Sequence, residues 1–253
     1  MLSGSLSSAV KNREETDFGF VRETGFQQKV TGETKMETTM KCTMGLLNRA
    51  DGSARLTHGK SEVLVAVFGP MECVRQKDEL KDRACVRVVV DPIVGLSGRE
   101  EKSFQKVLRS MFESVIVTEK FPRMMIKIVV QKIVDEDSLS LSTAINCACL
   151  ALLDAGVEMR RTLGAVELEI DTLTGKIVHN NGKKSVSIMN EDEELSSSSM
   201  CIGFDSDYKI VSSITEGPLT QEQYFSGIKY AKEISKSIFQ FYREMIMIRD
   251  KQE

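Results

Sequence analysis

The segment from Asp135 to Met159 contains the residues that point most directly to chemistry. No charged side chain occurs from Thr143 to Leu153, which predicts a helix buried on nearly every side. Gly156, two residues after Asp154, suits the left-handed conformation that ends such a helix. A buried helix start presents free backbone N–H groups to an anion, and a working phosphate site normally adds an Arg or Lys there. Carboxylates occupy residues 135–137 instead, so the sequence predicts the outline of a phosphate site without its cation.

A line of basic residues on a second predicted helix is the other candidate. Apolar residues recur at helical spacing from Glu100 to Val117, so this stretch is expected to be an amphipathic helix. Its opposite face presents Arg99, Lys102, Lys106 and Arg109 at spacings of three, four and three residues. Such a stripe is either an ordinary solvated helix face or a surface that binds RNA phosphates regardless of base sequence.

Other reactive residue types occur without a recognisable pattern. The run Asn190 to Glu194 supplies carboxylates that could act as acids, although consecutive charges followed by serines are typical of an exposed loop. His58 and His179 are the only histidines of the sequence, and they lack the ligand spacing of a zinc site. The six cysteines form no Cys-x-x-Cys pair and are expected to be reduced. The sequence therefore predicts no metal site and no cofactor.

The elements that position these residues follow from hydrophobic periodicity. Strands are predicted near residues 43–47, 54–57, 63–68, 85–90, 125–134, 165–171, 176–178, 185–188, 200–204 and 209–213. Thr220 and Gln223 form a capping-box signature before a long amphipathic helix of about 45 Å. This order of elements predicts an α+β fold with mixed sheets packed against helices.

Composition is consistent with one ordinary domain. The chain has 253 residues, of which 41% are hydrophobic and 28% charged, enough to bury a core without disulfides or metal. Its formal net charge of -3 excludes a global basic field of the kind that dominates non-specific nucleic-acid binding. Residues 1–40 are polar and are expected to form a tail that is disordered in isolation, whereas residues 41–250 are expected to form a single domain. We find no apolar run long enough for a membrane span and no signal core.

Several motifs of the chain together resemble one family. They are Gly45 to Ala54 (GLLNRADGSA), Gly59, Val63 to Pro70, Arg99 to Phe112, Phe121-Pro122-Arg123, and the small-residue helix that ends in Asp154-Ala155-Gly156. With this spacing, residues 41 to 250 resemble the ribonuclease PH family, the phosphorolytic 3′ to 5′ exoribonucleases and their exosome relatives. The resemblance implies the two-layer ribonuclease PH fold, which is related to one domain of ribosomal protein S5.

The resemblance also implies where catalytic groups should lie. Active members place an Arg before the buried helix, adjacent arginines at the start of the basic helix, and catalytic aspartates after the hairpin at Gly175. In this sequence those positions hold Leu141, Glu100 beside the retained Arg99, and Asn180. An aliphatic group, a carboxylate and an amide cannot replace a phosphate-binding cation and a catalytic acid. The resemblance therefore implies a non-catalytic relative.

For partners, the resemblance implies the eukaryotic RNA exosome in the nucleus, nucleolus and cytoplasm. Its subunits pair into heterodimers, here with ribosomal RNA-processing protein 43, and the pairs close into a six-membered ring that carries cap proteins and conducts RNA. Three hypotheses follow: a structural subunit of the RNA channel, an active phosphate-dependent exoribonuclease that uses the acids of residues 191–194, or an assembly subunit with no direct RNA contact.

Overall fold

Two β-sheets with a helix packed between them form the centre of the molecule. The computed structural model describes residues 40–59, 61–73, 75–93, 95, 97–134, 140–171, 175–179 and 197–250. Within these residues, strands and helices alternate in the order expected of an α+β protein. The predicted fold class, with mixed sheets packed against helices, is confirmed.

The first sheet contains five strands in the spatial order β1-β2-β3-β5-β4. Their bounds are β1 Met40–Met44, β2 Gly52–His58, β3 Ser61–Glu72, β4 Cys85–Asp91 and β5 Met124–Lys132. The strands β1, β2, β3 and β5 pair antiparallel, whereas β4 and β5 pair parallel. Helix α1, Arg99–Val115, makes the crossover that a parallel pair requires and packs on β4.

The second sheet is antiparallel and has the spatial order β7-β6-β8-β9. Its strands are β6 Leu163–Asp171, β7 Ile177–His179, β8 Ser197–Asp205 and β9 Ile210–Glu216. The hairpin between β6 and β7 turns at Gly175, whose φ of 65° lies in the left-handed region. Alternation along β6 buries Val166, Leu168 and Ile170 and turns its acidic residues to the other face.

Helix α2, Leu141–Asp154, packs against β2 and β3 of the first sheet and β6 of the second. Its residues from Leu141 to Leu152 are all buried, which confirms the predicted buried helix, and Gly156 follows with φ of 66°. Helix α3, Gln221–Asp250, packs on β6 and β8. The predicted capping box is present, because the Gln223 N–H donates to the Thr220 hydroxyl and the Thr220 N–H donates to the Gln223 amide oxygen.

Some sequence-based expectations differ from the structure or fall outside it. The first strand was expected at residues 43–47 but ends at Met44, because Gly45 turns the chain with φ of 69°. The strand expected at residues 185–188 lies outside the described residues, as does the expected tail apart from Met40, which begins β1. Of the helices that the structure describes, none is both long enough and apolar enough to cross a membrane.

Candidate functional site

The N-terminus of α2 is the place where the sequence predicts a phosphate site without its cation. Ser140 is the N-cap residue, and its hydroxyl accepts hydrogen bonds from the Thr143 N–H at 3.4 Å and the Thr143 hydroxyl at 3.1 Å. Leu141 is the first helical residue and is only 6% exposed, packed within the hydrophobic core. The helix start is therefore capped by its own serine and closed on one side by an aliphatic group.

A carboxylate of the chain also occupies this helix start. The Glu167 carboxylate, on the polar face of β6, accepts hydrogen bonds from the Ser140 hydroxyl at 2.6 Å and the Ser142 hydroxyl at 3.3 Å. Negative charge near a helix N-terminus is favourable, and here the anion comes from the protein itself. Glu167 was not among the site residues predicted from the sequence. The signal for it was the alternation of Glu167 and Glu169 with apolar neighbours along β6.

The two histidines lie together at the ends of strands from different sheets. His58, the last residue of β2, and His179, the last residue of β7, have ring centroids 5.6 Å apart, and both side chains are buried. Burial, followed by the neighbouring imidazole of His179, lowers the pKa of His58 to about 3. Within the described part of the chain, the Nε2 atom of His58 has no hydrogen-bond partner. His58 is therefore uncharged at neutral pH, and the two rings form a packed contact between strands of the two sheets.

Asn180 directly follows His179 but lies outside the described residues, as do the acidic runs at residues 135–137 and 191–194. Among the described residues, no three His, Cys, Asp or Glu side chains are close enough to share a metal ion. All six cysteines are free thiols, and burial raises the pKa of Cys42 and Cys149 to about 12. Neither of these two thiols is therefore a thiolate nucleophile at neutral pH.

Residues that carry the family resemblance hold α2 in place. The Ser53 N–H donates to the Asp154 carboxylate at 2.8 Å, and Arg249 of α3 pairs with the same carboxylate at 2.6 Å. A Cβ atom at Gly52 would lie 2.3 Å from the backbone nitrogen of Ala155, so only glycine permits this approach of β2 to α2. The motif at residues 52–54 and the Asp-Ala-Gly ending of α2 therefore form one structural joint.

Asn146 connects three elements in the centre of the core. Its amide donates to the Ala165 carbonyl at 2.9 Å, and its oxygen accepts from the Ala165 N–H at 2.7 Å and from the Tyr242 hydroxyl at 2.9 Å. Asn146 is 1% exposed. These three hydrogen bonds join α2, β6 and α3, so this residue is a structural joint rather than a reactive group.

The basic residues of α1 lie on its exposed face, opposite Leu108, Met111, Phe112 and Val115, which are buried. Lys102, Lys106 and Arg109 line one groove between α1 and β4, whereas Arg99 and Glu100 lie at the exposed N-terminus of α1 and do not line it. The structure thus brings together three of the four predicted RNA-binding residues.

The groove has a volume of about 610 Å³ and a second basic wall that sequence analysis missed. Arg75 and Lys77, from the segment after β3, and Arg87 of β4 also line it. Of the lining residues that the structure describes, Asp78 is the only carboxylate, and it lies 3.7 Å from Arg87. The groove therefore gathers six cations in a chain whose formal net charge is -3.

Arg160 and Arg161 are neutralised by carboxylates, which distinguishes them from four of the six cations of the groove. Arg160 donates to Glu119 at 2.5 Å, and Arg161 pairs with Asp205 at 2.5 Å and Asp207 at 3.0 Å. In the groove, Arg109 bonds to Glu113 at 2.8 Å. Arg75, Lys77, Lys102 and Lys106 form no ion pair with another described residue.

The chain is similar to known proteins over most of its length. Residues 38–158 match the family model described as the 3′ exoribonuclease family (RNase PH), domain 1. The chain is 31% identical over 221 residues to the exosome complex exonuclease RRP46 homolog of Oryza sativa subsp. japonica, a match that covers 80% of this chain and 88% of that protein. It is 29% identical over 210 residues to the exosome complex component rrp46 of Schizosaccharomyces pombe, covering 79% and 90% respectively.

A solved structure agrees with these matches. The crystal structure of rice (Oryza sativa) Rrp46 superimposes with a TM-score of 0.71 at 28% identity, covering 82% of this chain and 94% of that chain. The similarity therefore covers most of this chain and nearly all of that chain.

Proposed function

The chain belongs to the RNase PH family of 3′ exoribonucleases, and from that premise we propose that it is a non-catalytic subunit of the core ring of the eukaryotic RNA exosome. In that role it supports 3′ to 5′ RNA processing and degradation, including the processing of ribosomal RNA, by lining or stabilising the RNA channel. The observation that carries the non-catalytic assignment is the start of α2, where Leu141 is buried and the Glu167 carboxylate faces the serine hydroxyls.

Phosphorolysis uses inorganic phosphate as the nucleophile, so the enzyme must hold an anion beside the scissile bond. At the start of α2, the hydroxyls that would serve as donors already bind Glu167. A phosphate oxygen 4 Å from that carboxylate would be repelled by about 4 kcal/mol for each unit of charge near a protein surface. Leu141 does not offset this repulsion, because its aliphatic side chain carries no charge.

The remaining family positions support the same proposal. Glu100 is exposed at the start of α1, where active members present a cation to RNA. A carboxylate beside a phosphodiester either repels it or must take up a proton. Asn180 stands in the sequence where the family has an aspartate, and an amide neither donates a proton to a leaving oxygen nor replaces a carboxylate metal ligand.

The proposed partners are other RNase PH-like subunits. We expect a heterodimer with ribosomal RNA-processing protein 43 inside a six-membered ring, with cap proteins on one face and RNA in the channel, in the nucleus, nucleolus and cytoplasm. The names of the relatives, which are exosome components, support this assignment. Arg99, Lys102, Lys106 and Arg109 are the candidates for RNA contact. Their exposure on one helix supports sequence-independent contacts to the phosphate backbone.

Two experiments test the proposal. Co-expression with candidate RNase PH-like partners, followed by size-exclusion chromatography, should yield a stable hetero-oligomer that contains this chain. The purified assembly should then receive 3′-labelled RNA with and without inorganic phosphate. We expect no phosphate-dependent release of labelled nucleoside diphosphate, whereas an active archaeal or bacterial RNase PH-like enzyme in the same assay releases it.

The alternatives give different results in the same experiments. Phosphate-dependent release of nucleoside diphosphates by this chain would establish an active exoribonuclease and refute the non-catalytic assignment. Failure to enter any hetero-oligomer would refute the exosome role. Charge reversal of Lys102, Lys106 and Arg109 should weaken RNA crosslinking to this chain in the assembled ring, and an unchanged signal would indicate an assembly subunit without RNA contact.

A further inference from the structure

The groove between α1 and β4 has two basic walls, and only one of them is visible as a pattern in the sequence. On the first wall, Lys102, Lys106 and Arg109 extend over about 10 Å of helix. On the second, Arg75 and Lys77 precede β4 by about ten residues in the chain, and Arg87 projects from β4 itself. From this juxtaposition we infer that the groove is a binding site for the sugar-phosphate backbone of single-stranded RNA, held by cations from both walls.

The charge balance of the groove favours an anionic occupant. Among its described lining residues Asp78 is the only carboxylate, at 3.7 Å from Arg87. Glu113, outside the lining, pairs with Arg109 at 2.8 Å, so four of the six cations form no ion pair with a described residue. Like charges collected in a concave site repel one another, and they raise the local concentration of anionic ligands. The volume of about 610 Å³ is large for a single small anion and suits several linked groups.

The chemistry of the lining favours backbone contacts over base recognition. The described residues of the lining include no aromatic side chain, so they offer bases no stacking platform of the kind that single-strand binding proteins use. Gln105, which could read a base edge, donates its amide to the Val90 carbonyl at 3.4 Å. Binding through Lys and Arg alone is independent of sequence and strongly dependent on salt.

An acidic protein segment is the competing occupant, and the lining of the groove argues against it. Peptide ligands normally anchor apolar side chains in a pocket. Cys85, Val86 and Val88 of β4 are 6%, 0% and 6% exposed, so among the described lining residues the half-buried Leu80 is the one aliphatic side chain that offers more than a small apolar surface. The choice of RNA rests on the proposed function, whereas the anionic character of the occupant rests on the groove alone.

The test is a salt titration of RNA binding by the full-length chain on its own, so that the result does not depend on ring assembly. Fluorescence anisotropy would follow single-stranded poly(U) and poly(A) probes over a range of salt concentrations. The groove variant Arg75→Gln/Lys77→Gln/Arg87→Gln removes the second wall, which the α1 stripe does not include. The control variant Lys229→Gln/Lys232→Gln/Lys236→Gln removes the same number of exposed cations from α3.

We expect the groove variant to lower the slope of log Kobs against log salt by about 2, since each lost phosphate contact contributes about 0.7 on a single strand. This corresponds to roughly hundredfold weaker binding at about 0.1 M salt, equal for both probes, whereas the control variant should bind like the wild type. Thermal melts of all three proteins would verify that each is folded.

Each other outcome overturns the inference. If the wild type does not bind RNA, or if the groove variant and the control have the same slope, RNA does not occupy the groove. If the groove variant loses binding to a poly-glutamate probe but keeps RNA binding, the groove is a protein-docking site. These outcomes can be distinguished from failure of the proposed function. If the chain enters the exosome ring but the groove variant has the same salt slope as the wild type, only the inference about the groove is refuted.

Discussion

The Ser140 hydroxyl, at the N-cap of α2, lies 2.6 Å from the Glu167 carboxylate on β6. The two residues are 27 positions apart in the sequence, and they meet because α2 packs on the second sheet. This contact places an internal carboxylate at the helix start that would otherwise attract an external anion. The contact therefore stabilises the helix start at which the sequence predicts a phosphate site without its cation.

Removal of this carboxylate should destabilise the protein. Glu167→Ala leaves the hydroxyls of Ser140 and Ser142 without their acceptor, and we expect a loss of about 2 kcal/mol in the free energy of unfolding. Glu167→Gln keeps one acceptor oxygen and should cost less. Urea denaturation measures both, and Glu72→Ala, an exposed residue on β3, is the control that should change little. Equal effects at Glu72 and Glu167 would contradict the role of the contact.

Inorganic phosphate should not stabilise the wild-type protein. A ligand that binds only the folded state at a hundred times its Kd adds about 2.7 kcal/mol, which is visible as a higher Tm. We expect equal Tm values in phosphate and chloride buffers of matched ionic strength. The double variant Leu141→Arg/Glu167→Gln restores the family cation and removes the carboxylate, so its Tm should rise in phosphate. A phosphate-dependent rise for the wild type would show that its site binds the anion.

Loss of the Asn146 side chain should be among the costliest changes in the core. Asn146→Ala leaves the buried N–H and carbonyl of Ala165 and the hydroxyl of Tyr242 unpaired, with an expected cost of about 3 kcal/mol or more. Tyr242→Phe removes one of these hydrogen bonds and should cost about 1 kcal/mol. A double-mutant cycle by chemical denaturation should show coupling, since the two changes share one bond. Additive effects would mean that the two side chains do not interact.

The close approach of β2 to α2 should make Gly52 intolerant of any side chain. In Gly52→Ala the new Cβ would lie 2.3 Å from the Ala155 nitrogen and 2.5 Å from the Ala151 carbonyl oxygen, so backbone must move. We expect a loss of about 3 kcal/mol in the free energy of unfolding. Gly45→Ala is the matched control, because its Cβ would touch nothing and only the left-handed φ of 69° is strained, at about 1 kcal/mol. A smaller effect at Gly52 than at Gly45 would contradict the observed packing.

Acid should weaken the protein through His58. Burial, followed by the neighbouring His179, lowers the pKa of His58 in the folded state from 6.5 to about 3. Below about pH 6.5 the unfolded state therefore binds a proton at His58, whereas the folded state does not. Stability should therefore fall as pH drops from about 6.5 towards 3, by up to about 1.4 kcal/mol per pH unit from this residue. Denaturation of the wild type and His58→Phe at several pH values measures the difference. Parallel pH profiles would show that His58 is not responsible.

Much of the local structure could be predicted from the sequence because periodicity and residue type act over short distances. The uncharged run before Asp154 predicts the buried helix α2, and the spacing of apolar residues after Arg99 predicts the amphipathic helix α1. The capping residues Thr220 and Gln223 mark the start of α3. The end of β1 was misplaced, since the apolar pattern continues past Gly45 while the backbone turns there.

The sequence by itself therefore determined the fold class and the family resemblance, and it predicts the loss of a cation at Leu141, because each depends on residue types and their spacing along the chain. Only the tertiary structure decided that Glu167 fills the start of α2 and that Asn146 meets Tyr242 across 96 positions. It also decided that Arg75 and Lys77 face the cations of α1 across a groove. The physical reason is that sheet register and helix packing choose which distant side chains meet, and periodicity along one element carries no information about that choice.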